Sequence, residues 1–151
     1  MKSIDLSKTS LSSISQEMFE EDVNLKNVVL PSSVTSIGVG AFLGCTSLKS
    51  IEIPSSVTNL EYKCFKDCIN MISIEIPCNV SAYGGHVFEN CRSLSTIICH
   101  SSTPLNICEY QMNDSLSIFV DENKIQSYIN DLNNNKYNHL SSNLLKTTYV
   151  K

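Results

Sequence analysis

The sequence predicts an α/β-type repeat solenoid: a parallel sheet on a concave face, few helices, and a strand-plus-helix closure at the C-terminal end. Three observations carry this. The stretch "LPSSVTSIGVGAFLGCTSLKSIE" (30–52) is rewritten as "IPSSVTNLEYKCFKDCINMISIE" (53–75) and again as "IPCNVSAYGGHVFENCRSLSTII" (76–98). The apolar positions recur in phase every 23 residues. An amphipathic helical stripe appears only after that period stops. One such unit cannot bury its apolar side chains alone, so units must stack and bury like against like.

The columns are explicit. Val34, Val57 and Val80 align, as do Ile37, Leu60 and Tyr83. Phe42, Phe65 and Phe88 follow, then Cys45, Cys68 and Cys91, then Leu48, Met71 and Leu94. One further step back lands on Leu11, Ile14, Phe19, Leu25, Val28 and Leu30, with Asp22 in the cysteine column. Residues 3–29 are therefore a degenerate first repeat, and Ile4 and Leu6 start the ladder. The whole chain, 1–151, reads as a single domain, with residues 99–151 as its C-terminal cap.

Within one copy, Ile51, Glu52 and Ile53 alternate in–out–in, a short strand. Pro54 cannot donate to a ladder and stops it, as Pro31 and Pro77 stop the neighbours. "SVTSI" is a second, shorter extended piece, and "GAFLGC" is a turn in which Gly44 supplies backbone freedom. The main strands are expected to form one continuous parallel sheet, with coils about 4.8 Å apart.

These residues resemble the BspA-like class of leucine-rich repeats: a Pro after the strand, an Ile-Gly pair, Ala-Phe, Gly-Cys and Leu-x-x-Ile-x-Ile. The likeness covers about residues 3–99. Glu61 stands where Gly38 and Gly84 stand in other copies, Cys64 replaces the Ala of Ala41, and Tyr83 fills a usual Ile position. The resemblance implies a curved right-handed solenoid and a protein-binding or adhesive role rather than catalysis. It also implies a cell-surface or secreted location.

After residue 99 the beat ends. "SLSIFV" reads as the last strand, with Leu116, Ile118 and Val120 on one side. A helix over about 122–132 follows. Asp121 is its expected N-cap, and Ile125, Tyr128, Ile129 and Leu132 form the apolar stripe that shields the open end. "MKSIDL" at the other end has no comparable cap. Either the chain is cut from a longer array, or a second copy covers that edge and the protein self-associates through it.

Composition narrows the chemistry. Of 151 residues, 42% are hydrophobic and 17% charged, with a net charge of −4, so a broad nucleic-acid footprint is not expected. No apolar run reaches the roughly 20 residues of a membrane span, and "MKSIDLSKTSLSSIS" has no signal-peptide core. That reading, with cysteines left as thiols, favours an intracellular adaptor over the exported protein. Seven cysteines are present. A straight column of Cys45, Cys68 and Cys91 does not converge as metal ligands must, and its side chains point alike, which suits a disulfide poorly. They read as buried thiols facing backbone carbonyls; a thiol-based metal or redox site is the rival reading. Cys64 and Cys68 make a lone C-x3-C, while Cys78, Cys99 and Cys108 read as fillers or cap residues. His86, His100 and His139 read as surface histidines. Cys99 and His100, adjacent in a strand, point to opposite faces and make no catalytic pair. No catalytic residue, metal site or cofactor is assigned. Asn79 and Asn113 match the N-glycosylation pattern, relevant only on a secretory route.

The informative surface is the outward side of the main strands. One column holds Asp5, Val29, Glu52, Glu75, Ile98 and Phe119; beside it run Ser3, Asn27, Ser50, Ser73, Thr96 and Ser117. Stacked Glu52 and Glu75 repel, a feature without folding benefit. Ile98 and Phe119 form an apolar end to the acidic strip, unless the tail "SSNLLKTTYVK" covers Phe119. Ser50, Glu52, Ser73, Glu75, Thr96, Ile98 and Phe119 are the expected partner-binding residues. Phe19, Phe42, Phe65, Phe88, Cys45, Cys68 and Cys91 are the expected core ladder. The function expected is non-enzymatic recognition of a protein partner of unknown identity, with no membrane insertion. A spacer that binds nothing is the structural alternative.

Overall fold

A computed structural model describes residues 2–103, 105, 115–133 and 145–148. In chain order the elements are β1 (Lys2–Asp5), β2 (Ser13–Ile14), β3 (Leu25–Val29), β4 (Ser36–Ile37), β5 (Asn59–Leu60) and β6 (Ser73–Ile76). Then come β7 (Ala82–Tyr83), β8 (Thr96–Cys99), β9 (Ser117–Asp121), a 3-10 turn (Glu122–Lys124), α1 (Ile125–Asn133) and β10 (Leu145–Thr148). All strand pairs are parallel. The described residues form a β-solenoid with one short α-helix.

Three sides of each coil bond to the next. On the back, two-residue strands stack in the order β2-β4-β5-β7, pairing Ile14 with Ile37, Leu60 and Tyr83 in turn. On the turn side, alternate amides reach the following coil: Gly40 N donates to Tyr62 O, Phe42 N to Cys64 O and Gly44 N to Lys66 O, at 3.0, 2.9 and 2.9 Å. The turn needs two left-handed residues per coil, and they also keep the period. Gly40 shares its column with Glu17, Lys63 and His86, and Gly44 with Glu21, Asp67 and Asn90, all at φ between 56° and 71°. Glycine meets that demand without strain, whereas a Cβ there costs about 1 kcal/mol.

The main face departs from the expected continuous sheet. It is split into β1-β3 and β6-β8-β9-β10. The strand expected at Ile51–Ile53 is reduced to one bridge, Glu52 to Glu75. The proline column contributes by removing a closing bond. His100 N donates to Ile76 O at 3.0 Å, closing the β6–β8 ladder at its end. Pro54 and Pro77 occupy the same position in the two preceding coils and have no N–H to give to Leu30 O and Ile53 O. Those pairings lose their closing bond, and the ladder shortens. The back and turn sides stay bonded across the gap, so the coils remain in register.

The end of the chain also differs from expectation. β9 is not the last strand: β10 pairs with it in parallel, Lys146 beside Phe119. The helix is therefore a crossover between two strands. Its first turn is 3-10, and Asp121 makes no side-chain cap hydrogen bond. That carboxylate is committed to His100 and Lys124 instead. Tyr128 is the anchor of the stripe: it is buried, its hydroxyl lies 2.9 Å from Cys99 Sγ, and it donates to Thr103 O at 3.2 Å.

The core is one column-by-column stack. Phe19, Phe42, Phe65 and Phe88 lie face to face, with centroid separations of 5.2, 5.4 and 5.9 Å. Beside them each thiol of the cysteine column donates to the carbonyl of a phenylalanine in the preceding coil. Cys45 reaches Phe19 O, Cys68 reaches Phe42 O and Cys91 reaches Phe65 O, each at 3.1 Å. The thiol satisfies a carbonyl at the turn while filling core volume. Burial pushes Cys45 and Cys91 up to about 12, helped at Cys45 by the Asp22 charge, and raises Cys64, Cys68 and Cys99 as well. A thiol that stays protonated is neither nucleophile nor metal ligand.

Two outcomes follow from this packing. Phe65→Ala, which removes a ring with neighbours on both faces, costs about 3–5 kcal/mol in urea unfolding, whereas Phe19→Ala at the half-buried end costs roughly 1–2 kcal/mol. Equal costs would contradict a stack that ends at Phe19. In a Cys108→Ser variant, iodoacetamide modifies exposed Cys78 quickly, while Cys45, Cys64, Cys68, Cys91 and Cys99 react only as the protein unfolds. The raised thiols also set a sign with pH. Their stabilisation is complete below the ordinary value of 9.0 and is lost as pH climbs toward about 12, because the unfolded chain ionises first.

Candidate functional site

The outward columns of the main face are built by strand register. Ser73, Thr96 and Ser117 lie side by side, as do Glu75, Ile98 and Phe119. Glu52 meets Glu75 across the single bridge. Glu52 and Glu75 are exposed, while Thr96, Ile98 and Phe119 are half-buried in the intact part of the sheet. Val29, next in the column, is 50% exposed.

Where the ladder is interrupted, the face opens into two depressions that share Glu52, Pro54 and Ser55. The larger, about 700 Å³, is lined by Ser50, Ile53, Ser73, Glu75, Cys78 and His100 among others. The smaller, about 300 Å³, reaches Val29, Leu30 and Ser32. Four of the seven expected binding residues, Ser50, Glu52, Ser73 and Glu75, line the larger one. Thr96, Ile98 and Phe119 lie outside both.

His100 is the residue that sequence reasoning undervalued. It takes the fourth place in the proline column, after Pro31, Pro54 and Pro77, and that break in the column was the available signal. Its ring ties three coils. Nε2 lies 2.8 Å from Glu75 Oε1, and Nδ1 lies 3.3 Å from Asp121 Oδ1. Carboxylates only accept, so both contacts are hydrogen bonds when the ring carries two N–H groups. Lys124 completes the cluster, with Nζ 3.1 Å from Asp121 Oδ2 and a further bond to His100 O. Burial pushes Asp121 upward, but hydrogen bonds from Lys124 and His100, with their charges, outweigh it and hold the carboxyl below its ordinary value.

Both ring nitrogens of His100 face carboxylates, so neither is free to take a proton from a nucleophile. Cys78 Sγ contacts Asn79 Oδ1 at 3.7 Å, a weak interaction. Cys99 points inward to Tyr128, away from His100. His86 sits on the turn side, 2.7 Å from Glu89 and edge-on to Tyr62. Cys108, His139 and the Asn113 sequon lie outside the described residues. Among the described residues, no group of three or more His, Cys, Asp or Glu side chains could hold a metal ion, and no helix is long and apolar enough to cross a membrane.

Comparison with known proteins agrees with this architecture. The chain is similar to a leucine-rich repeat protein from Bacteroides ovatus, with TM-score 0.66 and 23% identity over 81% of this chain; it spans 37% of that protein's length. It is also similar to the leucine-rich repeat protein of T. pallidum, with TM-score 0.63 and 17% identity, covering 78% of this chain and 68% of that one. No curated relative matches. The sequence model of BspA type leucine-rich repeat regions matches residues 1–144 with six copies. With that span matched and the stacked coils in place, the chain belongs to the BspA-type leucine-rich-repeat family.

Proposed function

We propose that the protein is a non-enzymatic recognition module that binds a protein partner on the outer face of its main sheet, in an adhesive or adaptor role. Membership of a family whose repeats generally serve protein interaction supports the class. The observation that carries the surface is the open depression at Glu52 and Glu75 on an otherwise regular sheet. The back and turn sides are occupied by coil-to-coil hydrogen bonds and by side chains that serve the stack. The main face sets exposed Glu52 and Glu75 beside the hydroxyls of Ser50 and Ser73, and stacked coils present such columns as one strip. Ile98 and Phe119 extend the strip with apolar area toward the C-terminal end.

Site-directed photo-crosslinking in cells of the source organism tests the assignment. A benzophenone side chain at Ser50 or Ser73 gives adducts of discrete mass, and one at Thr58 on the back gives none. Adducts of the same mass from both faces, or none from Ser50 and Ser73, would remove the outer face from the mechanism.

A further inference from the structure

The interrupted ladder does more than open a depression; it leaves the depression rich in hydrogen-bond acceptors. Ile53 lines the larger depression and Leu30 the smaller one beside it, and both residues are 7% exposed. Because the residues that would face their carbonyls are Pro54 and Pro77, no N–H reaches Leu30 O or Ile53 O among the described residues. A buried carbonyl without a donor costs free energy unless something supplies one. The Glu52 carboxylate likewise has no hydrogen-bonding or ionic partner among the described residues. Glu75, one coil away, uses one oxygen on His100 and keeps a side chain 67% exposed. No Lys or Arg is among the residues lining either depression. The two adjoining depressions, which share Glu52, thus hold two carboxylates and two carbonyls without an N–H partner; the donors already there are the ring N–H of His100, given to Glu75, and the hydroxyls of Ser32, Ser50, Ser55 and Ser73.

We propose that this depression is the docking pocket for a cationic side chain, Arg or Lys, on the partner segment, with Glu52 and Glu75 as its charge partners. The proposal rests on the outer-face reading above and names the partner's chemistry. Arg and Lys carry several N–H donors and no acceptor, which matches a pocket with acceptors in excess. Val29 on one flank gives the neighbouring residues of the segment apolar area to lie on. His100 holds Glu75 in place and leaves Glu52 open, so the incoming cation meets a carboxylate already positioned and one without a partner.

The test uses a fluorescein-labelled octapeptide of alternating Arg and Gly, followed by fluorescence polarisation at physiological salt. Glu52→Gln/Glu75→Gln weakens binding about tenfold, the loss expected for close charge pairs. Glu17→Gln/Glu20→Gln on the turn side removes the same charge and changes binding less than about twofold. Both doubles exchange exposed side chains, and an unchanged melting temperature for each confirms that folding is intact. Equal weakening by the two doubles means that the peptide senses net charge only, and no weakening by the first means that the carboxylates do not hold it; either overturns the proposal. If Ser50 and Ser73 still crosslink a partner in that event, the recognition face stands and only the cationic chemistry falls.

Discussion

A single coil of this chain has no interior. Its Phe, Val, Leu and Cys side chains on one level are buried only because the same residues sit one coil above and below. The phenylalanine stack shows how strict this is, with the Phe42 and Phe65 rings nearly parallel at 7°. Because the stack repeats every 23 residues, every other column must also keep register. The left-handed residues of the turn, the thiol-to-carbonyl bonds and the back strands all recur at that spacing. The outward columns inherit the same order. The regular outward strip is thus a by-product of core packing.

What was legible in the sequence follows from that coupling. The columns at Phe42, Phe65 and Phe88 and the outward pairs at Glu75 and Ile98 are local patterns repeated in phase, and a repeat reports its own neighbours. The interruption at Ile51–Ile53 was not legible in the same way. "SIEIP" reads as a strand in each copy; whether it forms a ladder depends on what the next proline column can donate. His100, which does donate, restores the full β6–β8 pairing. The identity of one residue in the corner column thus adds or removes the closing hydrogen bond of the ladder.

The C-terminal end was read only in part for a related reason. An apolar stripe announces a helix, and Tyr128 does lie against the final regular coil. Nothing in "LKTT" announces β10, because a strand of that length is defined by its partner β9 and not by its own pattern. Asp121 followed the same logic. Its place before the helix reads as a cap, but a histidine and a lysine on neighbouring turns compete for the carboxylate and win. The resulting cluster of Glu75, His100, Asp121 and Lys124 joins residues up to 49 positions apart, beyond the reach of any spacing rule.

The central claim is that the period, and not any single contact, specifies the fold. Excising residues 53–75 tests it most directly, because the cut removes one full coil and joins Glu52 to Ile76 without breaking the pattern. The account predicts that this shorter chain unfolds in urea in a single cooperative transition, with Phe42 now stacked on Phe88 and a smaller m-value in proportion to the surface lost. A chain that is unfolded, or that melts without cooperativity, would contradict it.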